Sequence, residues 1–170
     1  MSGKFKEMVK GKSVAIVGNL TPKEDLSEVI DSHDIVIRIN HFYNYDSGKV
    51  GKKLDMLFVT PTDKWKNMSP EQRHEDVIRE QKPLIFAVKH WQRIDRRIVD
   101  NHFCGCKIYK FEQDMLHNSQ IYTTGTASLR ILLNCEDFTC DCYCFSVDDD
   151  WQNYIDFDAK HYKKRMDKEE

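Results

Sequence analysis

The residues best suited to chemistry fall into three groups. Thr123, Thr124 and Gly125 stand just ahead of a stretch whose apolar spacing predicts a helix over 127–134, so they would open that helix. Exposed N–H groups and the positive dipole end at such a start bind anions, and two hydroxyls add further donors, which together suit a phosphate. By composition alone a plain capping role for Thr123 or Thr124 is the simpler alternative. Asn19 and Asn40 each follow an apolar run and each carries an amide that could meet a ribose or phosphate. His161 belongs to a third kind: an imidazole with an ordinary pKa of about 6.5 can take a proton from a hydroxyl near neutral pH. Its alternative is a solvated histidine in a charged helix.

The elements that must position these groups follow from the apolar pattern. Val14, Ala15, Ile16 and Val17 followed by Gly18 read as a buried parallel strand ending in a tight turn, where glycine permits close approach to a ligand. Thr21 as N-cap, Pro22 in the first turn and the acidic Glu24, Asp25 and Glu28 predict a helix next. Further strands are expected over 34–39, 54–60, 84–88 and 140–147, with 107–111 as an edge strand. Helices are expected from Ser69-Pro70-Glu71 to about Gln81, where Pro83 stops the run, and over 94–103. Strand and helix alternate, so the expected fold is α/β, a Rossmann-like, predominantly parallel sheet with helices on both faces in one domain, 1–170. Ligands bind beyond the carboxyl ends of such strands, so Asn19 and Asn40 should meet at one crevice. His90 and Trp91 follow a strand at that same end, with aromatic packing an equal alternative, and are kept out of the site. His33, at the opposite end, reads as a surface or turn residue.

Here the motifs carry a resemblance. VAIVGN, then Ile30-Asp31-Ser32-His33-Asp34 through Arg38-Ile39-Asn40, resembles the large sialyl motif of eukaryotic-type sialyltransferases, glycosyltransferase family 29. Tyr122-Thr123-Thr124-Gly125 is similar to the small sialyl motif, and Gly51-Lys52-Lys53-Leu54-Asp55 to the glycine-to-aspartate step between them. The resemblance implies the sialyltransferase-like variant of the GT-A fold and an inverting transfer of sialic acid from CMP-sialic acid to a glycan acceptor. It places Asn19, Asn40, Thr123, Thr124 and Gly125 on the cytidine monophosphate and implies no metal and no further cofactor. Trp151-Gln152-Asn153-Tyr154 looks like the family's short His-Tyr motif with Asn153 in place of histidine, which adds Asn153 and Tyr154 to the donor site. Farther on, the family's general base is a histidine followed five residues later by glutamate; His161 takes the first position and Met166 the second. A non-catalytic nucleotide- or glycan-binding derivative of the same fold is the alternative.

Composition narrows the classes. With 170 residues, 40% hydrophobic and 32% charged, the chain can bury one substantial core. A net charge of -2 offers no basic face, so no nucleic-acid partner is expected. No stretch approaches a membrane span and the first residues lack a signal-like apolar core, so a cytoplasmic location is expected, or else a soluble fragment of a membrane-anchored Golgi-type protein. The C-x-C pairs Cys104–Cys106 and Cys140–Cys142 fall short of the spacing of about two to four residues usual for zinc knuckles, so packing is favoured over metal. Cys140, Cys142 and Cys144 alternate along one expected strand and should share a face as free thiols. In the resembling family a cysteine at the position of Ser13 bridges one near Cys135; the serine here implies that this bridge is absent.

Overall fold

Strands buried on both faces need apolar residues throughout, and the apolar runs of this chain meet that demand. In the computed structural model, which describes residues 2–60, 67–88, 103–110 and 124–145, they form β1 (Ser13–Val17), β2 (Ile35–Ile39), β3 (Met56–Val59), β4 (Leu84–Ala87), β5 (Ile108–Lys110) and β6 (Thr139–Tyr143). All pair in parallel in the order β5-β4-β3-β2-β1-β6. The helices are α1 (Ser2–Val9), α2 (Ser27–Asp31), α3 (Glu75–Gln81) and α4 (Thr124–Leu133).

The helices cover both faces, as expected for a Rossmann-like α/β sheet. On one face Phe5 and Val9 of α1 and Ile131 and Leu132 of α4 bury Val14, Ile16, Ile37, Phe58 and Phe86. The Phe5 ring lies 5.7 Å from Phe58 and 5.4 Å from Phe86 between centroids, and each such pair is worth about 0.5–1.5 kcal/mol beyond its burial. On the other face Ile30 of α2 packs on Ala15, Val17 and Val36, and Ile78 of α3 on Leu57, Val59 and Ile85. After β5 the chain returns across the sheet to lay β6 beside β1, so the strand order reverses there. In open α/β sheets ligands bind beyond the carboxyl ends of the strands near such a reversal.

Several local expectations are corrected. The helix expected to start at Pro22 begins only at Ser27. The Leu26 amide bonds the Lys49 carbonyl at 2.8 Å, taking the donor that a helix starting at Thr21 would need. Ser69 and Gln72 do form a reciprocal capping pair, backbone N–H to side chain in both directions, but α3 starts later, at Glu75. His74 breaks the run in the left-handed region, φ 50°, and stacks on Phe42 at 4.4 Å. α1 was not anticipated: its apolar content is the spaced set Phe5, Met8 and Val9 among lysines. β6 ends at Tyr143, and Cys144, at φ 61°, packs with Val17 and Val36 rather than on the face of Cys140. The helix expected over 94–103 lies outside the described residues except for Phe103.

Candidate functional site

The β1 strand is expected to present Gly18 to a ligand; the structure gives that glycine another reason. Gly18 N–H bonds the Tyr143 carbonyl at 2.8 Å and Leu20 N–H the Cys144 carbonyl at 3.2 Å, so β1 and the chain leaving β6 run together beyond the sheet. A Cβ at Gly18 would lie 2.4 Å from the Cys144 carbonyl oxygen, closer than any side chain tolerates. The close approach is to backbone. Asn44, only 2% exposed in a 3-10 turn (Tyr43–Ser47), fixes this loop from the other side: its amide nitrogen donates to the Gly18 and Leu20 carbonyls at 3.0 and 2.7 Å. Its amide oxygen has no partner among the described residues.

Asn19 is half-buried and bridges strand ends. Its oxygen accepts the Tyr43 N–H at 3.2 Å, and its nitrogen makes a long contact of 3.4 Å to the Ile39 carbonyl. Asn40 ends β2 in the left-handed region, φ 51°, a conformation asparagine tolerates better than most residues. Its amide oxygen accepts the Thr60 N–H at 2.9 Å. Thr60, which follows β3, is 8% exposed, and its hydroxyl lies 2.7 Å from that of Thr124, the first residue of α4. Asn40, Thr60 and Thr124 therefore form one hydrogen-bonded chain across the carboxyl end of the sheet. The Phe145 ring completes this corner, within 3.1 Å of where a Cβ on Gly125 would sit. Asn19, Asn40, Thr124 and Gly125 are thus at one end of the sheet, with Asn40 and Thr124 joined through Thr60.

Thr123, Asn153, Tyr154 and His161 lie outside the described residues, as do His90 and Trp91. Thr60, Asn44 and Phe145 escaped the sequence reading. A threonine just before Pro61 reads as loop, an asparagine among aromatics has no fixed pattern, and Phe145 counted as strand.

Charge gathers elsewhere. Arg38 on β2 is fully buried: its guanidinium donates to the Lys53 carbonyl at 3.0 Å and the Val50 carbonyl at 2.8 Å and lies 5.2 Å from the Tyr45 ring. Burial pulls its pKa down, against the opposing effect of Asp31. The Asp31 carboxylate takes the Lys52 and Lys53 amides at 2.9 and 3.0 Å, so the Gly51–Asp55 step is a scaffold around Arg38. His33 is buried rather than at the surface. Its Nδ1 faces the Val29 and Ile30 carbonyls at 2.9 and 3.2 Å, and its Nε2 faces Asp141 at 2.8 Å. Burial alone would lower its pKa, but the Asp141 carboxylate and the two carbonyls outweigh it and the pKa is raised.

A depression of about 370 Å³ lies between α2 and the 3-10 turn, lined by Ser27, Asp31, Tyr45, Asp46 and Lys52 among others. Its two carboxylates oppose a phosphate, and no candidate residue lines it, so we place the candidate site at the strand ends instead. Among the described residues no group of three or more His, Cys, Asp or Glu is arranged to hold a metal. The sheet order separates Cys104–Cys106, ahead of edge strand β5, from Cys140–Cys142 on the opposite edge strand β6, which rules out the four thiols as one zinc site. All six cysteines are free thiols. Among the described residues no helix is long and apolar enough to cross a membrane.

Comparison of the chain with family models, with curated proteins and with solved structures finds no match.

Proposed function

We propose that the chain is a sialyltransferase-like inverting glycosyltransferase that holds the cytidine monophosphate half of CMP-sialic acid at the strand ends and passes the sugar to a glycan acceptor. One observation carries this reading: Asn40 and Thr124, from the two segments that resemble the sialyl motifs, meet through Thr60 in a single hydrogen-bonded chain. The groups gathered there are amides and hydroxyls at the start of a ten-residue helix, the set that binds ribose and phosphate without competing charge. In the proposed reaction His161 removes the acceptor proton, the acceptor oxygen bonds to the anomeric carbon, and the bond to CMP breaks with its electron pair leaving on the phosphate. Thr124 and the first amides of α4 stabilise that departing charge. Asn19, Thr123, Gly125, Asn153 and Tyr154 complete the donor site in this reading.

Asn153 and Met166, where the resembling family has histidine and glutamate, favour a second reading in which the chain binds the nucleotide or glycan without turnover. Thermal shift with CMP, UDP and NAD tests the shared part. CMP at a hundred times its Kd should stabilise by about 2.7 kcal/mol, and a larger shift with UDP or NAD would sink the assignment. Transfer from CMP-sialic acid to a mixed glycan panel then separates the two: an active enzyme should lose roughly 10²-fold or more on His161→Ala with CMP affinity kept, whereas the binding protein shows no transfer to lose.

A further inference from the structure

Asn19 sits at the tip of the loop that leaves β1, and its neighbours on both sides are each held twice. Gly18 donates its N–H to the Tyr143 carbonyl at 2.8 Å and accepts the Asn44 amide on its own carbonyl at 3.0 Å. Leu20 donates its N–H to the Cys144 carbonyl at 3.2 Å and accepts from the same Asn44 nitrogen at 2.7 Å. Two carbonyls fix which end of the Asn44 amide faces the loop, because only an N–H can meet them, and the oxygen is left buried without a partner among the described residues. An unpaired buried acceptor is a cost to the fold, so the amide is explained by what its nitrogen holds and not by packing. The residue before it acts on Asn19 directly. The Tyr43 N–H meets the Asn19 oxygen at 3.2 Å, which turns the Asn19 nitrogen toward the end of β2. There that nitrogen makes only a long contact of 3.4 Å to the Ile39 carbonyl. An amide nitrogen carries two hydrogens, so Asn19 keeps donor capacity at the strand end, where Asn40 follows Ile39.

We propose, on the reading of this end of the sheet as a cytidine monophosphate site, that Asn44 is a positioning residue. It sets the loop over 18–20 so that the Asn19 amide nitrogen meets an oxygen of the nucleotide, and it affects the nucleotide only through Asn19. Asn44 itself touches no ligand: it is 2% exposed, and its nitrogen is committed to two carbonyls. Its effect is preorganisation. A donor fixed before the ligand arrives loses little freedom on binding, whereas a loop released from Asn44 has to be ordered by the ligand, and affinity falls.

The test is a double-mutant cycle on Asn19 and Asn44 in the full chain, with CMP affinity read by calorimetry and stability by urea denaturation. Asn44→Leu keeps the bulk and removes both donors together with the unpaired oxygen; Asn44→Ala serves if the leucine variant does not fold. Asn19→Ala should weaken CMP by about ten-fold, the scale of one hydrogen bond to a charged group. Asn44→Leu should weaken it by a similar factor, and the double variant should bind no worse than Asn19→Ala. Stability should behave in the opposite way. The drop in urea midpoint caused by Asn44→Leu should persist in the Asn19→Ala background, because the Gly18 and Leu20 carbonyls lose their donors in either case. A scaffold role alone gives affinity losses that multiply, to about a hundred-fold in the double variant, and that result would overturn the proposal, as would an Asn44→Leu affinity within about two-fold of wild type. A wild-type chain that does not bind CMP at all would sink the cytidine monophosphate site itself, and this role of Asn44 with it, so the wild-type titration tells the two failures apart.

Discussion

The two ends of the sheet are built from different chemistry. At the amino end, ionised side chains are tied down: Asp34 takes both the N–H and the hydroxyl of Ser13 at 2.9 and 3.1 Å, His33 faces Asp141, Asp55 takes the Val36 N–H at 2.8 Å, and the Lys53 ammonium caps the Asp34 carbonyl at 2.8 Å. Asp34 is held below its usual pKa by the Ser13 amide and hydroxyl. At the carboxyl end the described side chains that connect strand ends to one another, Asn19, Asn40, Asn44, Thr60 and Thr124, are neutral, with the Asp46–His74 and Arg73–Glu75 pairs set apart on the 3-10 turn and the approach to α3. Charges that are saturated locally fix a fold, and a rim of neutral donors and acceptors stays compatible with an anionic ligand. The segment 30–40 contributes to both: Asp31 and Arg38 serve the first purpose, Asn40 the second.

Arg38 should give the largest effect. Arg38→Met leaves the Val50 and Lys53 carbonyls buried without donors, so the loop entering β3 loses both ties and stability should fall by roughly 2 to 6 kcal/mol, at about 1–3 for each unsatisfied group. Urea denaturation reads this directly; a loss below about 1 kcal/mol would mean that water replaces the guanidinium, and the amino-end scaffold would not depend on it.

Asn40 sharpens the contrast from the other end. Because its oxygen carries the Thr60 N–H and its backbone is left-handed, Asn40→Ala should cost stability as well as ligand affinity, about 1 to 3 kcal/mol. Asn40→Asp keeps the acceptor and tolerates the backbone, so the fold should survive, while the added negative charge should weaken CMP binding. Equal CMP affinity of a folded Asn40→Asp variant and the wild type, by calorimetry, would remove the carboxyl end from the phosphate site.

His33 should give the smallest effect. Its folded-state pKa is raised, so its contribution to stability is complete below the unfolded value of about 6.5 and is lost as pH rises through the higher folded value. Asp141 remains largely in water, 64% exposed, which limits the contribution to about 1 kcal/mol. Asp141→Asn should flatten the pH dependence of the melting temperature above pH 6.5; a slope unchanged by that substitution would assign it to another group.

How much was legible follows from these residues. The strands and their parallel pairing could be read because β1, β3 and β4 carry near-continuous apolar runs and β2 is broken only by Arg38, as strands covered on both faces require. Asn19 and Asn40 could be placed at the carboxyl end of the sheet because strand direction alone decides which end that is. Helix starts could not: Thr21-Pro22 has good capping chemistry, and a hydrogen bond from Leu26 to Lys49, distant in sequence, overrides it. Nor could Thr60 and Asn44, whose roles exist only once β1, β2, β3 and α4 meet. The sequence by itself determined which segments are strands, since burial requires apolar residues locally. Only the tertiary structure decided what Gly18, Asn40 and Thr60 touch, because hydrogen bonds depend on groups that folding brings within about 3 to 4 Å.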